Sequence, residues 1–286
     1  MEELAVKNLL GQYLNEHGYS FQYAVLKAIN DLYDEGKSPW LFEVAEFPVE
    51  VNGTPTHIDF ILRHKEAPFY LVAECKRANP AISNWCFVKA PYVSRDIRDG
   101  NERIVREVVN ANGGTSLQWL KRTQDIYRLA FEVKSTAKGE GSSGRGQVND
   151  ALTQVLRGVN GLIKFAVDGL CKGKTALLKG QSYAAFMPVI FTTANLWVTD
   201  AVLSKADLLK GTGDISKFNL TARDQILFHY AQSPTLKHSS YNYSDDPGLS
   251  DVLYLEYTRS IPIVSASAIA GFLPYINWSD LDDWNK

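Results

Sequence analysis

Apolar residues recur along this chain with two periods. Between Leu41 and Asn79 three short apolar runs alternate with polar positions, the period-two signature of strands. Asn52-Gly53 separates the first two runs and is a strong hairpin signal, and His64-Lys65-Glu66-Ala67-Pro68 separates the second from the third. The pattern predicts a β-meander ending in Leu71-Val72-Ala73-Glu74-Cys75-Lys76, with Pro80 barring continuation of the ladder. Helical spacing appears upstream. Leu4, Val6, Leu9, Leu10, Tyr13 and Leu14 predict a packing helix that stops at Gly18. Ser20 then caps a second helix carrying Phe21, Val25, Ile29, Leu32 and Tyr33, which closes near Gly36.

Downstream, Val148, Ala151, Leu152, Val155, Leu156, Val159 and Ile163 form the apolar stripe of an amphipathic helix. Phe186 to Thr193 is nearly continuous in apolar character and reads as a strand buried on both faces, which Leu196-Trp197-Val198 extends or follows. Ile261-Pro262-Ile263-Val264 with a helix over 267–272 reads as one more β-α unit. Residues 93–122, where Arg95, Arg98, Arg103 and Arg106 mix with Asp96, Asp99, Glu102 and Glu107, read as a charged helix and a loop broken at Asn110 to Gly114. Trp85 and Phe87 fall in a turn-like stretch, as core plugs in preference to a base-stacking pair. Residues 126–136 alternate as a strand with Tyr127, Leu129, Phe131 and Val133 on one face. Strands interleaved with helices predict an α/β (α+β) fold, a central mixed β-sheet flanked by helices. No repeat or long linker divides the chain, so one elaborated domain is expected, with its core over 20–200 and a C-terminal β-α extension over 201–286.

Side chains alternate along a strand, so the meander's register can be counted. With Asn52-Gly53 as the central turn residues, Glu46 lies opposite Asp59. With the second turn centred between Glu66 and Ala67, Asp59 lies opposite Glu74, and Lys76 follows two residues on along the same face. A wider first loop, prompted by Pro55, moves Asp59 opposite Pro48 yet leaves Glu46 and Glu50 on the Asp59 face. Glu43 points the other way. Glu132-Val133-Lys134 repeats the Glu-x-Lys text without a facing acid from a hairpin partner and reads as a solvated strand.

Composition narrows the class. The chain has 286 residues, 45% hydrophobic and 22% charged, with a net charge of -2. No apolar run approaches the roughly 20 residues of a membrane span, and Met1-Glu2-Glu3 lacks the basic and apolar regions of a signal peptide, which predicts a cytoplasmic protein with no membrane partner. Cys75, Cys86 and Cys171 have no C-x-x-C spacing, so neither disulfides nor structural zinc are expected. Residues 134–179 lean basic and 244–286 acidic. The basic stretch suits a polyanion or simply a solvated surface. Its glycine-rich 139–146 stretch lacks the G-x-x-x-x-G-K-[ST] of a nucleotide-binding loop.

Facing carboxylates are hard oxygen ligands for Mg²⁺ or Mn²⁺. A lysine beside them can orient a water and offset charge on a phosphate under attack. That combination describes phosphodiester hydrolysis. Gln147 and Gln154, seven apart on the amphipathic helix, share a face from which they could position a water or phosphate, or simply meet solvent. Asp31 and Asp34 read as solvated acids of the second helix.

His57-Ile58-Asp59 followed after a hairpin by Glu74-Cys75-Lys76 resembles the PD-(D/E)XK nuclease superfamily, which includes many restriction endonucleases. Ile58 stands where the motif has its proline. The resemblance covers about 20–200 with an insertion between Arg77 and Arg145, and implies a restriction-endonuclease-like core. It further implies that Asp59 and Glu74 hold the metal and Lys76 is the catalytic lysine, with Glu46 or Glu50 an added acid. The implied activity is that of a metal-dependent deoxyribonuclease serving restriction or anti-phage defence, as a homodimer or with a partner subunit. Two other readings remain at this level: a nucleic-acid-binding or regulatory module of the same fold without turnover, and a protein docking a partner through its acidic tail, Asp280 to Asp283 with Trp278 and Trp284.

Overall fold

The computed structural model describes residues 2–16, 18–79, 82–89, 102–122, 127–133, 146–171, 183–200, 205–212, 216, 218–236 and 256–276. The glycine-rich loop before Gly146, Lys134, residues 93–101 and the acidic tail lie outside them.

The meander forms as β1 (Trp40–Val51), β2 (Thr54–His64) and β3 (Phe69–Lys76). Val51 pairs with Thr54, so the first turn has only Asn52 and Gly53 at its centre, at φ 49° and 78°. Two positive φ values define the turn type whose twist matches that of the flanking strands, which is why Asn-Gly suits it. Phe60 pairs with Ala73 and Arg63 with Tyr70, which places the second turn where counting put it.

β3 continues the sheet by pairing in parallel with β8 (Tyr183–Thr192), from Phe69 beside Ala185 to Lys76 beside Thr192. β8 is the expected central strand, buried from Ala184 to Thr192. Its other edge is shared: β5 (Glu102–Asn110) pairs antiparallel along Tyr183–Phe186, and β12 (Thr258–Ser265) parallel along Ile190–Thr192. Where β5 and β12 part, Arg259 Nε donates to Glu107 Oε1 at 2.8 Å, and both side chains are about 3% exposed. Among the described residues twelve strands form one mixed sheet, ordered β1-β2-β3-β8-β12-β11-β7-β4-β9-β10, with β6 (Thr115–Arg122) beyond β5. The remaining members are β4 (Asn84–Lys89), β7 (Tyr127–Val133), β9 (Asn195–Asp200), β10 (Asn219–Arg223) and β11 (Gln225–Ala231). The fold is α+β, a large mixed sheet with helices on both faces.

α2 (Tyr19–Asp34) and α4 (Ile269–Tyr275) cover one face, packing Val25, Ile29, Phe272 and Leu273 on Phe60, Leu62, Leu71 and Phe191. α3 (Gly146–Cys171) covers the other, and every apolar position of its predicted stripe is buried. It lies close against the hairpin: a Cβ at Gly161 would stand 2.6 Å from Val49 Cβ. No helix among the described residues is long and apolar enough to cross a membrane.

Several expectations are corrected. Over its described residues, 102–122, the charged stretch is no helix but the hairpin β5–β6, turning at Asn110 to Gly114 with Gly113 at φ 81°. β-branched Ile104, Val105, Val108 and Val109 suit a strand, and their spacing in adjacent pairs between charged residues masked it. Trp85 and Phe87 sit on a strand, fully buried, so the core reading of both holds while the turn does not. In β7 the buried residues are Tyr127, Ala130 and Glu132, while Leu129 and Val133 are 45% and 40% exposed. Glu132 is therefore not solvated: its carboxylate accepts from Val148 N at 2.7 Å and caps α3, a favourable place for an anion at a helix N-terminus. α1 (Glu2–Glu16) forms as expected, but Leu4, Val6, Leu9, Leu10 and Tyr13 are all more than half exposed, so it is no packing helix. Gly18, at φ 79°, occupies the N-cap of α2 in place of Ser20. At its far end, Gly36 at φ 69° lets Lys37 N reach back to Leu32 O. Downstream of 200 the chain adds more than a terminal unit, since β12 lies next to β8 and β11 and β10 were not foreseen.

Candidate active site

β3 and β8 end together, and carboxyl ends of parallel strands are where open sheets leave crevices for ligands. A cavity of about 560 Å³ opens there, lined by Gly18, Tyr19 and Gln22 of α2, Glu46, Asp59, Glu74 to Asn79, and Gln147 and Gln154 of α3.

The β1–β2 ladder passes from Ala45–Phe60 to Phe47–Ile58 and skips the pair between them, Glu46 and Asp59. Ala45 and Phe60 belong to the core under α2, whereas Phe47 and Ile58 belong to the core under α3. Residues two apart normally share a face, so both strands switch faces at this one level. Glu46 absorbs the switch at φ 51°, a left-handed conformation uncommon for a residue with a Cβ. Gln22 reaches in from α2 and donates to Glu46 Oε1 at 2.9 Å and to the Asp59 carbonyl at 2.8 Å.

One step beyond the Phe60–Ala73 pair, the β2–β3 register brings Asp59 level with Glu74. Asp59 Oδ2 accepts from Cys75 N at 2.6 Å. Burial pushes the Asp59 carboxyl up to about 6; the Cys75 amide works against this, Glu46 adds to it, and Lys76 opposes it. Glu74 is buried and held well above the usual carboxylate range, first by burial, then by Asp59, with Lys76 opposing and Glu46 adding. Lys76 Nζ lies 3.8 Å from Glu74 Oε1 and donates to Gln154 Oε1 at 2.8 Å. Its backbone is fixed as well, because Lys76 O accepts from the Thr192 hydroxyl at 2.9 Å. Gln147 Oε1 accepts from Asn79 N at 3.2 Å and holds the segment that leaves β3.

Asp59, Glu74, Lys76, Glu46, Gln147 and Gln154 thus meet at one cavity. Glu50 does not. It is exposed, four residues past Glu46 and beyond the face switch, so parity counting that placed it with Asp59 fails there. Glu43 sits at a strand irregularity and pairs with Arg63 at 2.9 Å. Asp31 pairs with Lys27 on the exposed side of α2. Counting missed Gln22, which occupies a buried position of the α2 stripe where an apolar residue is the rule, the one available hint of a polar partner.

Among the described residues no three His, Cys, Asp or Glu side chains converge as a ready metal cage. Mg²⁺ is usually held by one or two carboxylates with water completing its shell, and Asp59 and Glu74 supply that donor set. Burial raises both carboxyls, and Asp59 raises Glu74 further, a cost that a divalent cation between them would relieve. No family model, curated protein or solved structure matches the chain.

Proposed function

We propose that this protein is a metal-dependent nuclease that hydrolyses phosphodiester bonds in nucleic acid, with DNA as substrate. The observation that carries the reading is the convergence of Asp59, Glu74 and Lys76 at one polar cavity, with the lysine held by Gln154 at 2.8 Å. Asp59 and Glu74 would hold Mg²⁺ or Mn²⁺, which supplies Lewis acidity toward a phosphate oxygen and lowers the pKa of a bound water. Lys76, fixed at both its backbone and its ammonium, directs N–H donors toward the phosphate and orients the attacking water. Glu46 adds a carboxylate that accepts from Gln22 and can take a hydrogen bond from that water. Assignment to DNA, and to restriction or anti-phage defence, rests on the resemblance of His57-Ile58-Asp59 and Glu74-Cys75-Lys76 to the PD-(D/E)XK nucleases.

The test is incubation with linear, circular and single-stranded DNA and with RNA, in Mg²⁺, Mn²⁺ or EDTA. Metal-dependent cleavage that disappears in Asp59→Ala and Lys76→Ala supports the reading. Cleavage surviving both substitutions removes the site, and binding without cleavage leaves a non-catalytic nucleic-acid module.

A further inference from the structure

The cavity is lined by unlike groups. Lys76 and Arg77, at the end of β3, bring positive charge to it. Tyr19 of α2 lines it too, and Tyr23 stands one helical turn further along α2, with ring centroids 6.4 Å apart and planes inclined at 33°. Both rings face water, at 40% and 59% exposure. Residues four apart share a helix face, so the two rings make a strip that begins at the cavity the carboxylates line.

We infer that this strip is a stacking platform for an unpaired stretch of the nucleic-acid substrate, so that the site acts on single strands, flaps or frayed ends in preference to intact duplex. The inference rests on the nuclease reading above. A strand entering the cavity offers phosphates to Lys76 and Arg77 and base faces to the tyrosines. Aromatic rings stack on any base, which makes such a platform tolerant of sequence. Bases inside a duplex already stack on their neighbours, so the platform rewards only those that are unpaired. Continuity with the cavity singles out this occupant: the strip starts at a residue that also lines the proposed site.

The test uses the full chain in a Lys76→Ala background with Mg²⁺, and compares labelled oligothymidylate with a duplex of equal length. Tyr19→Ala combined with Tyr23→Ala is expected to weaken single-strand binding about tenfold or more and to change duplex binding by less than about twofold. The double Phe variant, which keeps both rings, is expected to bind like the parent. In the otherwise wild-type enzyme, cleavage of a flapped substrate should fall more than cleavage of a blunt one. Equal losses on both substrates, or no loss on the single strand, overturn the platform and leave the nuclease reading standing. Failure of the unsubstituted chain to bind or cut any polynucleotide overturns both. A concentration-dependent dimer abolished by the same substitutions would also overturn the platform and assign the strip to self-association.

Discussion

Gln22 of α2 is tied to Glu46 of β1 by a 2.9 Å hydrogen bond at the level where β1 and β2 change faces. The same amide donates to the Asp59 carbonyl, so one buried side chain positions both strands of the site. Gln22→Met keeps the volume and removes both bonds. It is expected to cost about 1–3 kcal/mol in denaturant unfolding, because the polar groups it served lose their partner. Nuclease turnover should fall with it, since Glu46 is then free to leave the cavity.

Glu46→Gly separates backbone from carboxylate. Glycine adopts φ 51° freely, so that variant should lose only what the hydrogen bond from Gln22 contributes, whereas Glu46→Val, which loses the same bond and is β-branched at a left-handed position, should lose about 1–2 kcal/mol more. Thermal melting of the two variants side by side checks this.

Asp59 sets a pH dependence. Its carboxyl moves from 3.8 to about 6 on folding, so the native state binds the proton more tightly than the unfolded state does. Stability from this group is fully present below about 4 and is lost as pH rises through about 6. Glu74 shifts in the same direction and adds to the loss. Asp59→Asn, which keeps an oxygen for the Cys75 amide, should therefore raise stability at neutral pH by about 1–3 kcal/mol. Added Mg²⁺ should raise the melting temperature of the wild type at neutral pH and do so much less for the variant. A wild type that melts higher at pH about 7 than at about 5 without metal would contradict the assignment.

Lys76→Ala should lower kcat by about 10²-fold or more, as expected for loss of a positioned proton-transfer or phosphate-stabilising group. Gln154→Leu leaves the lysine present but unheld, so a smaller drop of about tenfold is expected, with KM little changed. Single-turnover kinetics on a saturating substrate separates the two.

Gly161→Ala places a Cβ against Val49 at 2.6 Å, between α3 and the hairpin that carries Asp59. Overpacking of this kind costs about 1–3 kcal/mol. Pairing it with Val49→Ala should recover part of the loss in urea unfolding.

The meander was legible because Asn52-Gly53 admits few turn geometries and because strand parity is a strict rule. Both registers follow from it, and with them the meeting of Asp59, Glu74 and Lys76. Parity failed at Glu46, where the backbone turns left-handed: no residue there announces it, since glycine would have been the expected type. That single departure is why Glu50 was placed in the site and why Gln22, the group that holds the departure in place, went unseen. Residues 102–122 misread for a different reason, since Arg and Glu suit a solvated helix as well as a strand and only the partner β8 decides between them. Glu132 looked like surface because its acceptor role depends on the N-terminus of α3, which no local pattern reveals.

β12 enters between β8 and β11, late in the chain and in the middle of the sheet. Among the described residues, the ladder that carries the cavity, β1-β2-β3-β8, is joined in the sheet to β7, β4, β9 and β10 through β12 and β11, while α3 packs against strands of both parts. The sheet is therefore complete only once β12, the last strand among the described residues, has joined it, and pairing between strands so distant in sequence is slow to form. A chain shortened to end before Thr258 keeps the β1-β2-β3-β8 ladder that gathers Asp59, Glu74 and Lys76, but leaves the edge of β8 along Ile190–Thr192 without its partner strand, an open edge in the middle of the sheet.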